Sequence, residues 1–212
     1  MDKSKLTRSI LYAAGVLILL GCTEQHSRTA RYPDGKLQLK YGIVRGDDGN
    51  WVKHGLFRSY HPNGRLREKT EFMRGKAEGV SEFWFDNGNK WYECRYSDNK
   101  RTGKYREWLR TGEFYAESQY REGVRHGRHK EWFPNGKPAF EFSFKNDEKH
   151  GEYVRWSDSG KILEEGTYFE GKRHGEFVVY GTEGKPLMKI RYAGGIPVDT
   201  VKVPTKTANS NQ

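Results

Sequence analysis

An all-β fold, a repeat array of six 24-residue antiparallel β-hairpins forming an extended, curled β-meander, is predicted by three features of this 212-residue sequence. Glycines recur at 55, 79, 103, 127, 151 and 175, an unbroken 24-residue period. A second series, Gly64, Gly88, Gly112, Gly136, Gly160 and Gly184, follows nine residues later, behind pairs such as Pro62-Asn63, Asp86-Asn87 and Asp158-Ser159. Glycine tolerates positive φ and short polar side chains bond the local backbone, so these positions read as hairpin turns. The third feature is aromatic content. Six Trp, 13 Tyr and 11 Phe make 14% of a chain whose mean hydropathy is −0.99. That is too many flat, bulky side chains for a chain that never packs.

The elements follow in order. Lys3, Lys5 and Arg8 precede an apolar run of 11 residues, Ile10 to Leu20. A membrane span needs about 20 apolar residues, whereas the core of a signal peptide needs roughly 7 to 15. The run ends in Leu19-Leu20-Gly21-Cys22, which resembles the lipobox of bacterial lipoproteins. Residues 1–21 are therefore predicted to be a signal peptide, with Cys22 lipidated at the mature N-terminus. Such a chain is attached to a membrane, not embedded in it. Thr23, in place of an acidic residue, resembles the outer-membrane sorting signal of diderm bacteria, so export and the periplasmic face of the outer membrane are expected. Residues 22–30 read as a polar tether. Pro33-Asp34-Gly35 followed by Leu37, Leu39, Tyr41 and Ile43 reads as an N-terminal half-repeat over 31–52, with an insertion at Asp47-Asp48-Gly49-Asn50. That acidic cluster lacks the bidentate glutamate and the spacing of a calcium loop and reads as a surface turn. The six repeats occupy 53–195. Residues 196–212, with two prolines and many Thr, Asn and Ser, read as a disordered tail or loose cap.

Within the repeats, alternation marks the strands. Tyr92, Cys94 and Tyr96 enclose Glu93 and Arg95, and Phe140, Phe142 and Phe144 enclose Glu141 and Ser143, the period of a strand with one buried face. Two columns are aromatic throughout: Tyr60, Trp84, Trp108, Trp132, Trp156 and Tyr180, and Phe72, Tyr96, Tyr120, Phe144, Tyr168 and Tyr192. Equivalent residues of a meander lie two strands apart, roughly 9 to 10 Å. Each column is expected to pack as a continuous ridge that replaces an aliphatic core. A lone hairpin is marginal in water, but stacked ones share a nearest-neighbour interface.

The recurring Lys/Arg-His-Gly, the aromatic residue beyond it and the Pro-Asn-Gly turn, best seen from Arg125-His126-Gly127 to Asn135-Gly136 and again from Arg173-His174-Gly175, resemble the MORN-repeat variant. The resemblance covers Lys53 to Gly195. It is shared with bacterial proteins carrying the name of YwqK-family antitoxins, and it implies a scaffold that binds proteins or membrane surfaces, with no shared catalytic residues.

The chemistry-bearing residues point the same way. Two cysteines are too few for a disulfide framework or a four-thiolate zinc site. Ser81, Ser118 and Ser143 lack the glycines of a nucleophile elbow, so no catalytic residues are assigned. His54, His126, His150 and His174 precede repeat glycines, yet no regular carboxylate column completes a zinc site, so neither metal nor cofactor is expected. Lys53, Arg101, Arg125, Lys149 and Arg173 form a candidate basic rim for anionic headgroups, phosphorylated polymers or an acidic protein. Glu93, Glu117, Glu141 and Glu165 form a compensating column. The formal charge of +10 is compatible with nucleic acid, but a secreted chain would not meet it. The expected function is a non-enzymatic, lipid-anchored cell-envelope scaffold binding a protein or an anionic envelope component. The alternative is an antitoxin or immunity protein that neutralises a toxin by binding it.

Overall fold

The computed structural model describes residues 25–204; the predicted signal peptide and Cys22 lie outside the described residues. Fifteen strands form a single sheet whose spatial order is the chain order. They are β1 (His26–Arg31), β2 (Leu37–Arg45), β3 (Trp51–Tyr60), β4 (Leu66–Met73), β5 (Lys76–Trp84), β6 (Lys90–Ser97), β7 (Lys100–Trp108), β8 (Phe114–Arg121), β9 (Val124–Trp132), β10 (Pro138–Lys145), β11 (Glu148–Trp156), β12 (Ile162–Phe169), β13 (Lys172–Tyr180), β14 (Pro186–Ala193) and β15 (Ile196–Lys202). All pairings are antiparallel, and β3 to β14 are the six predicted hairpins.

Both ends carry more sheet than expected. His26 to Ala30, read as tether, belong to β1, and Ile196 to Lys202, read as tail, form β15. Neither segment has aromatic punctuation. Each is ordered by the free backbone N–H and C=O groups of its neighbour, β2 or β14, which pair with any extended chain.

The turns also sort differently. The tight two-residue connections lie at Arg74-Gly75, Asp98-Asn99, Glu122-Gly123, Asn146-Asp147, Glu170-Gly171 and Gly194-Gly195, where both residues have φ between 47° and 91°. Positive φ at both central residues defines the type I′ hairpin turn, whose twist matches the strands. The second residue of each turn donates its N–H to a carbonyl on the preceding hairpin's first strand, as in Gly75 to Lys53 (2.7 Å) and Gly171 to Lys149 (2.9 Å). The Pro-Asn-Gly turns are wider. Tyr60 pairs with Leu66, and Asn63 Oδ1 accepts from the Arg65 N–H within the loop. The first glycine series occupies bulges where the register shifts, with φ from 68° to 103°.

Neighbouring wide turns are clamped. Asn63, Asn87 and Asn135 donate to the carbonyls of Asp86, Arg110 and Asp158 at 2.6, 2.7 and 2.8 Å. Asn135 also accepts from the Lys137 N–H at 3.0 Å, so Asn135→Ala removes two hydrogen bonds and is expected to cost about 1–3 kcal/mol, as a lower urea midpoint with an unchanged m-value.

The two faces of the sheet differ chemically. One carries the core: Phe57, Ser81, Tyr153 and Phe177 are buried, and Tyr105 and His129 occupy the same repeat position half-buried. This third column bridges the Phe72 column, with ring contacts Phe57–Phe72 (6.1 Å), Tyr105–Tyr120 (5.8 Å), Tyr153–Tyr168 (5.4 Å) and Phe177–Tyr192 (5.2 Å). The two aromatic columns named from sequence are therefore not self-contained ridges. Residues two strands apart are too distant for direct ring contact, whose centroids lie within 4.5–7 Å, so the column between them completes the packing. The Trp column faces the other side, where Lys90 Nζ lies 5.4 Å from the Trp108 ring while pairing with Glu82 and Glu93.

Candidate functional site

Each cation of the candidate rim stands two residues before a bulge glycine. Its carbonyl holds the adjoining type I′ turn, which fixes the backbone and directs the side chain onto the aromatic face. Lys53 Nζ lies 4.4 Å from the Phe57 ring and 4.8 Å from Phe72; Arg101 lies 5.4 Å from Tyr105 and 5.6 Å from Tyr120; Arg125 lies 4.0 Å from Phe144. Lys149 lies 4.3 Å from Phe142 and 5.3 Å from Tyr168, and Arg173 lies 4.6 Å from Phe177. The five residues are thus not an outward fringe. They are half-buried over rings whose negative faces attract them, each contact contributing about 0.5–2 kcal/mol. In the second repeat the row is interrupted by Ala77.

Their counter-ions are few. Arg125 pairs with Asp147 at 2.9 Å and Arg173 with the buried Glu164 at 2.8 Å. Lys53, Arg101 and Lys149 have no carboxylate partner among the described residues. Burial pushes the Tyr92 and Tyr153 hydroxyls up to about 12, so both phenols stay neutral and add no negative charge at neutral pH.

The glutamate column does not compensate this row, because it lies on the opposite face. There Glu93 and Glu117 bracket Arg106 at 3.0 and 2.9 Å, Lys69 and Lys90 hold Glu82 at 3.0 and 2.9 Å, and Lys130 meets Glu141 at 2.8 Å. That face is a self-neutralising ladder of cross-strand pairs. The hydrogen bond from Lys90 lowers the pKa of Glu82, and that from His129 lowers the pKa of Glu131. In Glu93 and Glu117 burial opposes ionisation, but Lys90 and Arg106, respectively, outweigh it and the pKa is again lowered. A carboxyl with a lowered folded-state pKa stabilises the fold above its unfolded value and loses that stabilisation as pH falls through the folded one. Stability is therefore expected to drop on acidification below the ordinary value of 4.5, and less steeply in Arg106→Met, as read from urea midpoints at a series of pH values.

Sequence reasoning missed one polar group. Ser118 Oγ lies 2.6 Å from His129 Nδ1, His129 Nε2 lies 3.0 Å from Glu131 Oε1, and the Tyr115 hydroxyl donates to Glu131 at 3.2 Å. The residue types resemble a nucleophile, base and acid. The setting does not: Ser118 is buried in mid-strand with register partners Tyr105 and His129 on its two sides, so its backbone offers no free N–H pair to a developing oxyanion. His129 escaped notice because it lies outside the column of histidines before the repeat glycines. Cys94 is buried, and burial pushes its thiol pKa up, away from nucleophilic character. No group of three or more His, Cys, Asp or Glu side chains is placed to hold a metal among the described residues.

Four stretches of the chain, residues 53–73, 77–98, 125–146 and 149–170, match the MORN repeat variant family. These are the first, second, fourth and fifth hairpins of the array, and those four hairpins are similar to the MORN repeat variant, a binding and repeat module not known for enzymatic activity. A comparison with curated proteins finds no match.

Proposed function

We propose that this chain is a lipid-anchored interaction module of the bacterial cell envelope, held at a membrane through Cys22 and offering its aromatic face to a protein or anionic envelope partner. The observation that carries this is the row Lys53, Arg101 and Lys149, half-buried cations without a carboxylate among the described residues, on the face opposite the neutralised glutamate ladder. Unmatched charge in a partly desolvated, aromatic setting favours an incoming anion.

Membrane fractionation of the native chain beside Cys22→Ala, with the intact mass of the mature N-terminus, tests the anchor. A lipid-sized mass increment and membrane retention, both lost in the variant, are expected. A soluble chain that keeps residues 1–21 would remove the envelope assignment and favour a cytosolic antitoxin. Photo-crosslinking from the aromatic face tests the surface. Capture of a neighbouring toxin, with rescue on co-expression, would turn the module into an immunity protein acting through the same face.

A further inference from the structure

The cation row has a pitch. Equivalent residues of successive repeats lie two strands apart, and at the usual 4.7–4.9 Å per strand this sets charges about 10 Å apart. From Lys53 on β3 to Arg173 on β13 the row crosses ten strand spacings, roughly 50 Å. Beside the cations runs a second row at the same pitch, Phe72, Tyr96, Tyr120, Phe144, Tyr168 and Tyr192, of which all but the buried Phe144 keep part of the ring surface accessible. A ligand crossing the strands therefore meets cations and rings without entering a deep pocket, and passes the carboxylates Glu68, Glu107, Glu131 and Glu164 that the register places on the same face.

Resting on the interaction-module assignment above, we infer that the partner is a linear acidic polysaccharide bearing one carboxylate per disaccharide, laid across the strands along this row. An extended β-linked disaccharide has nearly the pitch of one repeat, so each carboxylate reaches a lysine or arginine while the sugar between lies against a ring. The aromatic face carries negative quadrupole density and attracts the polarised C–H groups of a sugar as it attracts the cations themselves. A lipid headgroup surface has no fixed charge spacing and gains nothing from a periodic row, and a folded acidic protein rarely presents one. The carboxylates that share this face each have a neighbour: Arg173 and Arg125 pair with Glu164 and Asp147, while Glu131, Glu68 and Glu107 accept from uncharged groups, Tyr115 and His129, Thr70 and Tyr105. The gap at Ala77 predicts that the tightest segment lies between Arg101 and Arg173.

Hyaluronate oligosaccharides of graded length, titrated calorimetrically into the mature full-length protein at low salt, provide the test. Affinity should climb with each added disaccharide until the row is spanned and should weaken steeply with salt, since exposed ion contacts are screened. Lys53→Gln with Lys149→Gln should weaken binding roughly tenfold or more, two charge-assisted contacts being lost. Lys104→Gln with Arg128→Gln removes the same charge from other positions and should change it less than about twofold. Lys53→Arg with Lys149→Arg, which keeps charge and ring contact, should retain binding and guards against a folding defect in the glutamine pair. Length-independent affinity, or equal losses in the two glutamine pairs, would overturn the inference. Binding to phosphatidylglycerol vesicles or to a protein through Lys53 and Lys149, with none to hyaluronate, would also overturn it and leave the interaction-module assignment standing.

Discussion

Phe177→Ala is expected to destabilise the protein by about 3–5 kcal/mol, the range for deleting a fully buried aromatic ring. Phe177 has 0% exposure in a sheet only one layer thick. Its cover comes entirely from neighbours on the same face: Tyr153, Tyr168 and Tyr192 with centroids at 6.1, 5.7 and 5.2 Å, and the Arg173 guanidinium at 4.6 Å. Beneath it lies Gly166, where a Cβ would fall 2.5 Å from the ring. Gly166→Ala alone is therefore destabilising, because ring or strand must shift. In the Phe177→Ala background the same methyl enters vacated space. The double variant should be more stable than the sum of the single losses, a coupling detectable in a urea double-mutant cycle. Strict additivity would show that the ring does not occupy the volume above residue 166.

The same pair shows what was legible in sequence. Backbone requirements were: a glycine every 24 residues, with a turn nine residues later, reflects positions that need positive φ, and those are bulges and turns in the structure. Side-chain burial was less legible. The column that forms the core reads Phe57, Ser81, Tyr105, His129, Tyr153, Phe177, and its serine and histidine hide it from any search for uniform hydrophobicity. The uniformly aromatic columns stood out instead, one of them facing the charged side. The cation row was found by period, but not its destination. Long lysine and arginine stems reach either a sheet edge or a ring, and only the fold decides which. Nor did alternation show that the glutamates of that column lie across the sheet from the row, a separation that leaves Lys53, Arg101 and Lys149 without an ion pair among the described residues. β1 and β15 were missed because an edge strand needs only a neighbouring backbone.

His129→Phe is expected to destabilise by about 2 kcal/mol although phenylalanine suits the site sterically, as Phe57 and Phe177 do at equivalent positions. The cost arises from orphaning buried Ser118, about 1–3 kcal/mol before local relaxation, and from taking one of Glu131's two hydrogen bonds, the Tyr115 hydroxyl keeping the other. Combining it with Ser118→Ala, Glu131→Val and Tyr115→Phe should restore most of the loss, since apolar groups replacing all partners leave nothing unsatisfied; Val179 already occupies the repeat position of Glu131. The location adds a second consequence. Ring contacts run through Tyr92, Tyr105 and Tyr120 and resume at His129, Phe142 and Phe144, with none between Tyr120 and His129 among the described residues. The third wide turn, with Thr111 and Glu113, makes no clamp to the fourth among those residues either. At the β8–β9 junction, then, the Ser118–His129–Glu131 relay joins two aromatic blocks on the core face, assisted from the other face by the Phe114–Trp132 contact at 4.8 Å. In a linear array stability is the sum of repeat and interface contributions, so weakening one interface uncouples what lies on either side. Hydrogen exchange of His129→Phe should show two protection classes divided at this junction, with the block containing Phe142, Phe144, Tyr153 and Phe177 opening last. One uniform class, as cooperative as the parent, would mean that the backbone ladder alone couples the halves.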